Sequence, residues 1–218
     1  MFTAVLFAIA LLPSAPPIAS ASIGPVEMFR TALDGIASYA ITISAHEVSG
    51  TAVQDRQYAY EFKSPSQARS EIIAGAGKGT VAIWRGGDKV IGYAKLMPFF
   101  KRSFGLHDPS VSSLRGNTVV SADLPSMFSH FTEAGVRTTI RPATLDGAMV
   151  DEVTLDRRWT ADKDRALAGL DPLTKEVVDL SRQTHLPIRW TGYCGDTIVE
   201  LYRMSDVRLN GVTERDFR

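Results

Sequence analysis

Residues 49–93 read SGTAVQDRQYAYEFKSPSQARSEIIAGAGKGTVAIWRGGDKVIGY, and this stretch decides the fold class. Gln57 to Lys63 places Tyr58, Tyr60 and Phe62 on one face of a strand, because side chains two apart share a side of the pleat. Ser64-Pro65-Ser66 turns the chain, and Arg69 to Ala74 pairs back. Gly75-Ala-Gly-Lys-Gly79 makes the next corner, Thr80 to Arg85 continues, and Gly86-Gly87-Asp88 is a hairpin signal ahead of Lys89 to Lys95. Hairpin connections this short make the strands antiparallel. The stretch is a meander of amphipathic strands with no catalytic constellation on it.

Upstream, Pro25 to Ser38 reads as a helix, with Pro25 at a first helical position and Val26, Phe29, Leu33 and Ile36 on one face. Tyr39 to Glu47 then alternates Ile41 and Ile43 against polar neighbours. Downstream, Leu96 to Val120 has weak periodicity and scattered aromatics, including Phe99, Phe100 and Phe104. Asp123 makes an N-cap for a short helix closed by Gly135, with Leu124, Met127, Phe128 and Phe131 along one side. Val136 to Pro142, Ala148 to Arg157, Lys175 to Ser181, Pro187 to Cys194 and Thr197 to Arg208 return to strand character, and a short charged helix is expected within Thr160 to Ala168. About nine or ten strands are set against two or three helices, and a sheet of that size curls or closes. The expected fold is mainly β with helices (α+β): a strongly curved antiparallel sheet forming an incomplete β-barrel, with the helices as a lid over its opening.

The N-terminus predicts export. Ala4 to Leu12 is an apolar run too short to span a bilayer, Pro13, Pro16 and Pro17 break it, and Ala19-Ser20-Ala21 has the small-x-small pattern of a cleavage site. Residues 1–21 are read as a signal peptide cleaved near Ala21, and 22–218 as a single domain of an exported, periplasmic protein. The only cysteine is Cys194, which leaves no lipidation motif and no internal disulfide. Twenty-four acids balance twenty-four bases, which argues against nucleic acid as a partner.

Enzyme and metal chemistry find little support. His46, His107, His130 and His185 are far apart and form no metal-binding spacing, so no metal or other cofactor is expected. Cys194 beside a Gly-Asp turn reads as an inert residue at a strand end. Gly75 to Thr80 lacks the spacing of a phosphate-binding loop and joins two strands instead of opening a helix. Acid pairs such as Asp151/Glu152 and Asp162/Asp164 read as solvated faces, and the basic Arg157, Arg158, Lys163 and Arg165 as a salt-bridged surface, with an anionic headgroup or partner as the alternative. No Gly-x-Ser-x-Gly elbow is present, and no residue is assigned a catalytic role.

In order and spacing the chain resembles the periplasmic outer-membrane lipoprotein carriers, the LolA-like superfamily. The resemblance rests on Leu33-Asp-Gly-Ile-Ala-Ser-Tyr39, Gly50-Thr-Ala-Val-Gln54, the Phe62-Lys63-Ser64-Pro65 corner with Arg69 beyond it, the Gly87-Asp88-Lys89 hairpin running to Tyr93, and Asp206 to Asn210 with Phe217 after them. The family's lid-latching Arg before the corner proline is replaced here by Ser64. The resemblance implies a divergent member: a monomeric carrier or chaperone that holds acyl chains of lipoproteins, or free lipid, in a hydrophobic half-barrel and passes them between membrane-bound donor and acceptor proteins without nucleotide. The alternative is an envelope sensor with the same fold and no transport role. The expected lipid-binding residues are Ile41, Ile43, Tyr58, Tyr60, Phe62, Ile72, Val81, Ile83 and Tyr93 on the sheet, with Phe128 and Phe131 on the lid.

Overall fold

The structure, a computed structural model, describes residues 24–157 and 170–217. The signal peptide and the charged helix expected within Thr160 to Ala168 lie outside the described residues. The chain opens with helix α1 (Pro25–Asp34), which Pro25 starts and Gly35 ends by donating its N–H to the Leu33 carbonyl. The helix therefore stops short of Ser38, which already belongs to β1 (Ser38–Ser49). Then follow β2 (Ala52–Lys63), β3 (Gln67–Gly75), β4 (Thr80–Trp84), β5 (Lys89–Ala94) and β6 (Arg102–Gly105). Helix α2 (Leu124–Thr132) comes next, its first turn capped by the Asp123 side chain, which accepts from the Ser126 N–H. The chain finishes with β7 (Arg137–Leu145), β8 (Ala148–Asp156), β9 (Lys175–Ser181), β10 (Pro187–Cys194), β11 (Thr197–Leu209) and a 3-10 turn at Glu214–Phe217.

The eleven strands of the described residues form one sheet in the order β6-β5-β4-β3-β2-β1-β11-β10-β9-β8-β7, and every neighbour pair is antiparallel. Two meanders are thus joined at one seam, where β1 meets β11. Asn210 staples that seam: its side-chain oxygen accepts from the Ala37 and Ser38 N–H groups, and its amide donates to the Gly35 carbonyl. Among the described residues the edges β6 and β7 do not meet, so the barrel is incomplete.

The sheet is strongly curved. Tyr39, Ile41, Ile43, Tyr60, Phe62 and Val90 from one meander share a single core with Val153, Leu155, Val178, Trp190 and Met204 from the other. Both helices lie in the hollow between them, with Phe29 of α1 edge-on to Phe128 and Phe131 of α2 at 5.6 and 5.9 Å between ring centres. The convex side carries a smaller cluster, in which Phe217 packs on Val81 and Ile83.

Candidate functional site

Within the hollow lies a cavity of about 330 Å³. Its wall is the concave face of β1 to β4 and β11, and its cover is Met127 of α2 with the irregular 106–123 segment. The register explains which side chains meet there. Ile43 pairs with Tyr58, Tyr58 with Ile72, Tyr60 with Ser70, Ser70 with Ala82, and Ile43 with Met204 on the other side. Residues directly opposite on an antiparallel pair share a face, so these positions form one continuous wall.

One end of the cavity is polar. The buried Glu47 carboxylate accepts from the Tyr202 hydroxyl at 2.5 Å, from the Asn117 amide at 3.2 Å and from the Arg115 backbone N–H at 3.0 Å. Arg115 is itself buried and donates from its side chain to Glu200 at 2.9 Å and to the Val48 and Asp171 carbonyls. A charge taken out of water needs partners of this kind. Here they pin the 106–123 segment across the β1–β11 seam. The cavity is therefore amphipathic, with Ile43, Ile72, Met127 and Met204 on its apolar side and Glu47, Asn117 and Tyr202 at its polar end.

The lid helix is tied down at both ends. At its start, the Leu124 N–H donates to the Tyr39 hydroxyl at 2.8 Å. At its far end, Glu176 of β9 collects the Trp190 indole N–H at 2.8 Å and Arg157 at 2.7 Å, while His130 of α2 stands 3.3 Å away. Arg157, expected from sequence at the surface, is instead buried, and it also pairs with Glu133, just past the helix. Burial pushes the Glu176 pKa up, but His130, Arg157 and Trp190 together outweigh it and hold the carboxyl at about 2. Phe131 and His130 both stand edge-on to Trp190. Lys63 and Arg69, the cations nearest the Ser64-Pro65 corner, take no part in this. Lys63 pairs with Glu214, and Arg69 with Glu61 and Glu71.

Of the residues expected from sequence, Ile43, Tyr58, Tyr60 and Ile72 line the cavity. Ile41, Phe62 and Phe131 are buried in the surrounding core, and Phe128 packs against it. Val81 and Ile83 are placed differently: they point to the convex side, into the cluster with Phe217, and Tyr93 packs on that cluster. Ala82, between them, is the β4 residue that faces the cavity. Sequence alternation named neither Glu47, Asn117 and Tyr202 nor Met204. Glu47 does share the period-two face of Ile41 and Ile43, a signal available in the sequence, whereas Arg115 has no local signature. Among the described residues, no group of three or more His, Cys, Asp or Glu side chains is placed to hold a metal ion.

No family model matches the chain, and no curated protein matches it. Solved structures do. A protein of the DUF1329 family from Desulfovibrio piger superposes with a TM-score of 0.47 at 13% identity, over 89% of this chain and 95% of its own. A LolA superfamily protein from Nitrosomonas europaea gives 0.40 at 11% identity, over 88% and 96%. The Mycobacterium tuberculosis lipoprotein LppX gives 0.43 at 14% identity, over 87% and 95%. Likeness at these identities concerns fold alone. The described residues themselves form a half-barrel, with eleven antiparallel strands curved around two helices and left open at the edges.

Proposed function

We propose that the chain is an exported carrier, working in the periplasm as a single domain from about Ser22 onward, that takes up an acyl chain of a lipoprotein or a free lipid beneath α2 and hands it on without nucleotide. The observation that carries this reading is the cavity between Ile43, Tyr60, Ile72 and Met204 on the sheet and Met127 on the lid. Its contacts are mostly non-directional, which suits a tail that must slide in and out. Each methylene removed from water contributes about 0.8 kcal/mol, so a single chain represents several kcal/mol of attraction. A volume of 330 Å³ lies near the lower end of ligand pockets, roughly 300–1,000 Å³. The closed form thus suits one chain, and a multiply acylated lipoprotein requires α2 to lift. The polar end at Glu47, Asn117 and Tyr202, whose hydrogen bonds run among themselves and to Arg115, bounds the space open to the tail.

The test is mass spectrometry of organic extracts of the purified protein, together with titration of a fluorescent fatty acid. Ala82→Phe projects a ring into the cavity from β4 and is expected to weaken probe binding about tenfold or more while leaving the fold intact. Unchanged binding in that variant places the ligand elsewhere. A lipid-free preparation that also ignores the probe favours the sensor reading.

A further inference from the structure

The connection between β5 and β6 is Lys95-Leu96-Met97-Pro98-Phe99-Phe100-Lys101, followed by Arg102. Leu96 is 94% exposed, Phe99 92% and Phe100 73%. Single exposed apolar side chains are ordinary on a protein surface, but a contiguous run of this size marks an interaction site. The run is also held in shape. Consecutive turns close from Ala94 to Met97 and from Met97 to Phe100, with N···O distances of 2.8 and 3.1 Å, and Pro98 keeps the segment out of any strand ladder.

Two further observations identify what the run fits. The first is charge. Lys101 lies over the Tyr93 ring at 5.3 Å and Arg102 is exposed, and neither has a carboxylate partner among the described residues; Lys95 alone is paired, to Glu71. Cations flanking exposed Leu and Phe complement an anionic surface that has an oily layer beneath it. The second is position. Met97 and Phe100 line a second hollow of about 500 Å³, with Phe104 at its side, and this hollow shares Thr80, Ser110 and Val111 with the cavity under α2. Gly92 lets the Phe104 ring pack closely beside that junction, since a Cβ there would meet the ring at 2.9 Å. The run therefore stands at the mouth of the cavity.

We infer that residues 95–102 dock the protein onto an anionic phospholipid bilayer, with Leu96, Phe99 and Phe100 entering the interface and Lys101 and Arg102 meeting the headgroups. Docking itself is independent of the carrier function; the use of the mouth as a lipid portal rests on that reading. Contact with the bilayer turns the 500 Å³ hollow towards the lipid and gives a tail an apolar path past Phe104 and Val111 to the inner cavity.

The experiment is flotation of the purified full chain with vesicles of phosphatidylcholine alone or enriched in phosphatidylglycerol, with fatty-acid probe binding measured separately on the same samples. Wild type is expected to float with the anionic vesicles and to lose binding as salt rises. Phe99→Asp with Phe100→Asp should reduce flotation about tenfold or more. Lys101→Glu with Arg102→Glu should abolish the preference for phosphatidylglycerol. All these positions are exposed, so thermal melting should not change. The proposal is overturned if wild type ignores both vesicles, if the aspartate variant floats undiminished, or if the patch proves to hold two copies of the chain together in solution. Loss of flotation with probe binding intact isolates docking, whereas loss of probe binding with flotation intact strikes only the carrier reading.

Discussion

Tyr39 and Tyr60 sit on adjacent strands with ring centres 6.1 Å apart, and their hydroxyls have different fates. The Tyr39 hydroxyl accepts the first N–H of α2, whereas the Tyr60 hydroxyl lies close by and makes no hydrogen bond of good geometry among the described residues. Burial raises the pKa of both phenols, so both are neutral at ordinary pH. A buried polar atom without a partner costs about 1–3 kcal/mol, and so does a buried donor that loses its acceptor. Tyr39→Phe is accordingly expected to destabilise the protein by about 1–3 kcal/mol, and Tyr60→Phe to be neutral or stabilising by up to about 1 kcal/mol. Urea midpoints at constant slope measure both; a Tyr60→Phe loss equal to that of Tyr39→Phe contradicts the assignment. The aromatic face of β2 was legible in sequence because alternation from Tyr58 to Phe62 allows only one core face. Val81 and Ile83 were not, because β4 is apolar on both sides. Which side meets the cavity is set by Phe217, over a hundred residues away.

At the scale of elements, α2 shows both what sequence gives and where it stops. Its start was readable from Asp123, since a cap acts within one turn. Its far end was not, because the His130–Glu176–Arg157 cluster joins residues 46 and 27 positions apart. Edge strands blur in the same way: β7 runs through Pro142 to Leu145, which an outermost strand tolerates because the missing N–H has no ladder to break. Four-residue β6 lies in a stretch with too little alternation to register. The Glu176 cluster makes a pH prediction. Its carboxyl is depressed to about 2 from an ordinary value of 4.5, so the stabilisation is fully present above about pH 4.5 and is lost as pH falls towards 2. The shift corresponds to something on the order of 3 kcal/mol. Amide exchange in α2 should accelerate across that window in wild type, and Glu176→Gln should be weakened at neutral pH and flatter below it. Parallel acid profiles for the two proteins disprove the latch.

For the whole molecule, the curvature and the lid are one problem. The β1–β11 seam holds two meanders at an angle that leaves a hollow, and α1 and α2 fill all of it but the cavity. On the proposed carrier function, every contact that closes α2 competes with uptake. A ligand that binds only the open form has its affinity reduced by the fraction of molecules that are open. Loosening the latch should then raise apparent affinity while lowering stability, and about 1.4 kcal/mol removed from lid docking corresponds to about tenfold tighter binding. Arg157→Gln is the variant of choice, since it breaks the ties to Glu133 and Glu176 and leaves the cavity wall unchanged. Its thermal midpoint should fall and its fatty-acid affinity should rise. A cavity that is merely imperfect packing gives the first change without the second. Affinity and stability falling together would mean that α2 grips the ligand instead of competing with it, which is the opposite sign and a different machine.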